Sequence, residues 1–233
     1  MKVKDIALVL FFIANACYLF FFRIMENKDM SLLFKPMIIP FIFLYYTIES
    51  KEKKNPLHLL LLGLIFIADN INLLLETIFY QFAILIYLVV LGILFFLIIK
   101  DAKIINQNSK LSKYLGFLFI VAIAFALITK VTSVFIVKTK FHSYYLILNY
   151  IVFFVGVLVM SFYNFIKFKS KSAKFLLLGL GFMFLSDLLS VTKTYFLKYD
   201  VFVYLSMLLE LPVYYFFAQF FIERDKKAAK IKQ

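Results

Sequence analysis

Eight runs of about 20 predominantly apolar residues follow one another along the 233-residue chain, and that is the length an α-helix needs to cross the hydrocarbon of a bilayer. They fall at 5–22, 31–48, 57–75, 78–99, 114–137, 143–164, 173–197 and 201–222. A backbone in hydrocarbon must satisfy its own hydrogen bonds, so each run predicts a helix; the runs are too continuous for the alternating strands of a membrane barrel. The expected fold is therefore all-α, a polytopic membrane bundle of about eight transmembrane helices forming one transmembrane domain, 1–233. Composition agrees, because 64% hydrophobic residues exceeds the roughly 45–50% of soluble domains and the surplus needs lipid as its solvent.

The formal charge of +13 would suit nucleic acid if it formed a continuous basic face. It does not: the charges lie in short clusters between the apolar runs, so nucleic acid is not an expected partner and the charge is a topology signal. One set of connections carries Lys2, Lys4, the clusters 51–54, 100–113 and 167–174, and the basic tail from Arg224, together eighteen of the 26 Lys and Arg residues. The opposite set has only Arg23, Lys28, Lys138, Lys140 and Lys198. The positive-inside rule then places the basic side and both termini in the cytoplasm, as expected of a multi-pass cell-membrane protein. Lys2 and Lys4 ahead of an apolar stretch ending in Ala14-Asn15-Ala16-Cys17 resemble a lipoprotein signal, but the apolar run continues to Phe22, which predicts a retained helix. Cys17 is the single cysteine, so no intrachain disulfide forms.

The stretch Gly63 to Asp69 in the third run is echoed by Gly181 to Asp187 in the seventh, 118 positions later. Four helices per half would make this a parallel repeat, with halves 1–112 and 113–233. The same offset maps Asn72 onto Ser190 and Glu76 onto Thr194; the i, i+3, i+7 spacing puts each set of polar residues on one helix face. Charged groups inside a span cost at least about 2.5 kcal/mol each and are read as functional by default. Here they are Lys35, Asp69, Lys130, Asp187, Lys193 and Glu210, with Glu76 near a helix end. All but the two glutamates fall in the half of the membrane away from the basic side, where one polar cavity would gather them. Two readings stand for Lys35, Lys130 and Lys193, site residues or long side chains snorkelling to the interface; Lys35 and Glu210 also suit a static ion pair. Asp69 and Asp187 lie roughly 10 Å from the nearer boundary, too far for a short side chain to reach water.

His58 and His142 sit at opposite interfaces and read as boundary residues, with no shared metal. Neither a metal motif, a phosphate-binding glycine loop nor a serine-hydrolase elbow occurs, so no cofactor is expected. Aromatic pairs such as Tyr45-Tyr46 and Tyr144-Tyr145 suit interfacial belts, whereas Tyr215 and Gln219, spaced i, i+4, are equally suited to lining a cavity.

Lys35-Pro36, the Gly63–Asp69 segment, Gly181 to Ser186-Asp187, and Tyr214-Tyr215 with Ala218-Gln219 together resemble the YhhN family of eight-helix membrane proteins, which includes lysoplasmalogenases. Ala68 stands where the family motif has glycine, and no histidine occurs between Phe79 and Ile99. The resemblance implies a lysophospholipid substrate whose vinyl ether is hydrolysed to a fatty aldehyde and glycerophosphoethanolamine or glycerophosphocholine. Such a bond needs a proton donor and a carboxylate; Asp69 and Asp187 sharing one proton would serve. Lys35 would hold the lipid phosphate, and Asn72, Glu210, Tyr214, Tyr215 and Gln219 would complete the substrate-binding wall. A proton-coupled transporter or a non-catalytic lipid-binding protein would use the same intramembrane carboxylates.

Overall fold

The computed structural model describes residues 2–50, 54–72, 77–105, 144–195 and 199–230, and every element among them is helical. In chain order these are α1 (Val3–Leu19), which runs into a π-helical turn (Phe20–Ile24), α2 (Lys28–Glu49), α3 (Pro56–Asn72), α4 (Thr77–Ile105), α5 (Tyr144–Phe168), α6 (Lys171–Tyr195), α7 (Val201–Glu210) and α8 (Val213–Lys230). Six stretches among the described residues are long and apolar enough to cross a membrane: Val3–Ile24, Asp29–Glu49, Gln81–Asp101, Leu146–Phe168, Lys171–Ser190 and Val201–Lys227. Pro56–Ile71 is a shorter apolar helix. The protein is an integral, multi-pass helical membrane protein. The fifth expected span, with Lys130, lies outside the described residues, as do Glu76 and His142.

Local chemistry sets the helix ends. Asn27 Oδ1 accepts the Met30 N–H at 3.1 Å to open α2, Asn55 Oδ1 accepts from Leu57 N at 3.0 Å to open α3, and Ser170 Oγ accepts from Ala173 N at 3.2 Å to open α6. The last span was expected as one helix and is broken at Leu211-Pro212, because Pro212 has no N–H to continue the ladder and its ring crowds the preceding turn. The break is buttressed from α1: the Asn15 side-chain amide, 1% exposed, donates to the Leu211 carbonyl at 2.9 Å. A freed carbonyl in an apolar interior thereby keeps a donor.

The chain divides into two compact units, residues 1–66 with 170–233, and residues 67–169. In the first, α1 packs on α2, α6 on both α7 and α8, and α2 on α8, around Phe11, Ile42, Leu61, Leu180 and Phe220. Gly179 of α6 faces Phe216 and Phe217 of α8, at a distance where a Cβ would make ordinary van der Waals contact. In the second, α4 packs on α5 around Leu97, Ile98 and Val157, and the Asn164 amide of α5 donates to the Ile98 carbonyl at 3.2 Å. Large apolar side chains such as Phe96, Phe162 and Leu208 stay exposed, as surfaces bathed in lipid do.

Candidate functional site

A cavity of about 270 Å³ opens at one end of the first unit, between the π-helical turn, α6 and α7. Arg23, Glu26, Ser190, Lys193 and Ser206 supply its polar wall. Arg23 is presented by the π-helical turn, a local widening of the helix that often marks a functional position. Glu26 follows it with φ 51°, the left-handed region that non-glycine residues rarely occupy. Ser190 and Lys193 are three residues apart on the last turns of α6, so they share a face. Ser206 holds α7 against α6, since its carbonyl accepts the Ser186 hydroxyl at 2.9 Å.

Charges of both signs meet here. Arg23 Nη2 bonds Glu210 Oε2 at 3.4 Å, while the buried Arg23 Nε has no hydrogen-bond acceptor. Lys193 Nζ pairs with Asp200 Oδ1 at 3.2 Å at the exposed mouth. Asp187, three residues before Ser190 on α6, is exposed and feels the charges of Glu210 and Arg23. Glu210 thus has Arg23 as its ion-pair partner, and Lys35 is placed differently: it is buried, with Nζ 4.3 Å from the Tyr18 ring centroid and 6.0 Å from that of Tyr214. That enclosure is a cation–π arrangement between α1, α2 and α8. On the same helix as Tyr214, Gln219 donates to the Tyr45 hydroxyl at 2.7 Å, and the Tyr215 ring lies between those of Tyr45 and Phe12.

Asp69 belongs to the second unit. It is 6% exposed, near the end of α3, and its carboxylate accepts a hydrogen bond from the Tyr87 hydroxyl of α4. The Tyr87 ring lies 6.2 Å from that of Tyr150 on α5, so the carboxyl group ends a chain of aromatic contacts. Asp69 and Asp187 therefore sit in different units. Of Asn72 only the helical backbone is described.

A second, well-connected polar cluster among the described residues was not singled out as a site from the sequence. His58, fully buried, has Nδ1 3.2 Å from Asp225 Oδ1 and Nε2 3.0 Å from Arg224 Nη1. A guanidinium cannot accept a hydrogen bond, so Nε2 is the acceptor and Nδ1 carries the proton donated to Asp225. Tyr46 and Ser50 donate to Asp225 Oδ2 at 2.6 and 3.0 Å. The Phe221 ring stacks on His58 at 4.7 Å. His58, in the first turn of α3, is thus a fully enclosed link between α3 and α8. Because the Ser50 hydroxyl goes to the carboxylate and the far imidazole nitrogen faces arginine, this is not a nucleophilic triad.

Comparison with protein-family models, with curated proteins and with solved structures gives no match for the chain.

Proposed function

We propose that the protein is a membrane-embedded hydrolase of lysophospholipids bearing a vinyl ether, releasing a fatty aldehyde and glycerophosphoethanolamine or glycerophosphocholine. The observation that carries this reading is Asp187, an intramembrane carboxyl group on the helix that leads through Ser190 and Lys193 into the polar cavity. A proton delivered to the alkene carbon β to the ether oxygen leaves an oxocarbenium ion shared between that oxygen and the adjoining carbon. Water adds to that cation and returns a proton, and the hemiacetal collapses to aldehyde and alcohol, so the balance needs only water. Asp187 in its protonated form is the donor in this scheme, and its conjugate carboxylate stabilises the cation that forms. Tyr214, Tyr215 and Gln219, in the same unit as Asp187, are candidate wall residues.

The test is aldehyde release from purified protein given lysoplasmenylethanolamine. The parent should release aldehyde, and Asp187→Asn should lower the rate by about 10²-fold or more. No release by well-folded parent protein would end the hydrolase reading. A second reading, proton-coupled transport, is favoured by the burial of Asp69 beside the Tyr87 hydroxyl, since an enclosed carboxyl group is a suitable proton carrier. Acidification of proteoliposomes that depends on Asp69 would select it.

A further inference from the structure

We infer that the Arg23–Lys193 cavity binds the phosphoethanolamine head of a lysolipid and discriminates against phosphocholine. The inference rests on the lysolipid reading for the class of amphiphile; the headgroup choice comes from the charges in the wall. Position comes first. Glu26 lies in the link between the spans Val3–Ile24 and Asp29–Glu49, and Asp200 immediately precedes the span Val201–Lys227. The cavity mouth is therefore at the end of the spans, the level where lipid headgroups meet water.

Size comes next. At roughly 30 Å³ for each water-sized group, 270 Å³ holds about nine such groups, enough for a small polar head and too little for an acyl chain. The chain has an exterior course instead, along the exposed Leu188 of α6 and Leu205 and Leu208 of α7.

Charge decides the chemistry. Arg23 offers a buried Nε with no acceptor, and Lys193 offers an ammonium group whose partner Asp200 is 79% exposed and is readily given up to solvent. A phosphate takes hydrogen bonds from both, in the geometry a guanidinium favours. Glu26 and Glu210 add negative charge beside them. A site built for a bare phosphate monoester would not carry these carboxylates, whereas a zwitterion places its ammonium group against them. A primary ammonium has three N–H donors for carboxylates and for the Ser190 and Ser206 hydroxyls. A trimethylammonium has none and relies on an aromatic cage, for which the wall among the described residues provides one ring, Phe22.

The experiment measures binding without turnover. Purified full-length protein in detergent is titrated with ester-linked lysophosphatidylethanolamine, lysophosphatidylcholine and lysophosphatidic acid of one acyl length, none of which has a vinyl ether, and with soluble glycerophosphoethanolamine. Lysophosphatidylethanolamine should bind at least about tenfold tighter than the choline or phosphate-only lipids, and glycerophosphoethanolamine about 100-fold weaker because it lacks the chain. Lys193→Met, at a half-buried position where the aliphatic stem is kept, should weaken all the phospholipids together, and Arg23→Gln should do so more strongly. Glu26→Gln combined with Glu210→Gln should reduce ethanolamine binding to the choline level. Equal binding of the two zwitterionic lipids, or a preference untouched in the double glutamine variant, would overturn the assignment. Soluble glycerophosphoethanolamine binding as tightly as the lipid would overturn the lipid as its source. Selective binding by a protein that releases no aldehyde from lysoplasmenylethanolamine would remove the hydrolase reading and leave this one standing.

Discussion

The Tyr46 hydroxyl donates to Asp225 Oδ2 at 2.6 Å, joining α2 to α8 across 179 residues of sequence. Ser50 reaches the same oxygen, and His58 from α3 supplies the other. One buried carboxylate on the C-terminal helix thus collects donors from both α2 and α3, adding to the Gln219–Tyr45 bond and the Arg224–His58 contact between the same helices. Its lone pairs are satisfied within the protein, which is the condition for keeping such a group inside.

Removing the acceptor should hurt more than removing one donor. Asp225→Ala leaves the Tyr46, Ser50 and His58 donors buried beside a hole and should cost about 3 kcal/mol or more. Tyr46→Phe should cost about 1–3 kcal/mol. Unfolding by denaturing detergent in mixed micelles measures both, and the double variant should be less unstable than the sum. Strict additivity would show that the hydroxyl and the carboxylate do not act as a unit.

A second stability prediction concerns the break at Pro212. Asn15→Leu should destabilise by about 1–3 kcal/mol because the Leu211 carbonyl loses its donor in an apolar setting. Pro212→Ala lets the helix run on through the break and should make the protein tolerant of the asparagine substitution. If Asn15→Leu is equally harmful in the Pro212→Ala background, the asparagine has a task other than supporting the break.

How much of this was readable beforehand depended on the range over which the physics acts. Membrane helices were legible because lipid imposes a condition on every window of about 20 residues, and an apolar run satisfies it locally. The break at Leu211-Pro212 was lost in the same averaging: one proline hardly alters a window whose neighbours are Leu and Val. Asp69 and Asp187 stood out because charge is rare at that depth. What surrounds each of them was not legible, since Tyr87 is one tyrosine among 15 and the Arg23–Glu210 pair whose charges act on Asp187 joins residues 187 positions apart. The enclosure of His58 was hidden for a related reason. Hydropathy places it at an interface, and only the fold brings Arg224 and Asp225 onto its two nitrogens.

Orientation can be tested apart from chemistry. Lys2, Lys4 and the basic clusters at 51–54, 100–113, 167–174 and from Arg224 onward predict that these segments share the cytoplasmic side. A reporter active only in the cytoplasm, fused after Gln233 or inserted within 100–113, should be active in both positions. Activity of one fusion and silence of the other would mean an odd number of crossings between them.

The last prediction separates a proton donor from a group that holds the fold. Asp69 accepts from Tyr87, so Asp69→Asn keeps the side-chain volume and a carbonyl that takes the same hydrogen bond, yet it removes the ionisable proton. Folding should survive, because a neutral amide is cheaper to bury than a carboxylate. If Asp69 takes part in proton transfer, aldehyde release from lysoplasmenylethanolamine should fall by about 10²-fold or more. Tyr87→Phe removes the hydrogen bond and leaves the acid, so its loss should be smaller, about tenfold, and accompanied by a shifted pH–rate profile that the asparagine variant has no group to produce. Lys35→Met tests a different role. The ammonium group is enclosed by the Tyr18 and Tyr214 rings, so its loss should lower the thermal midpoint in detergent; an added rise in KM at unchanged kcat would show that it also holds substrate phosphate. Aldehyde release at the parent rate from a stably folded Asp69→Asn protein would confine Asp69 to structure and leave Asp187 as the one aspartate for the proton-transfer step.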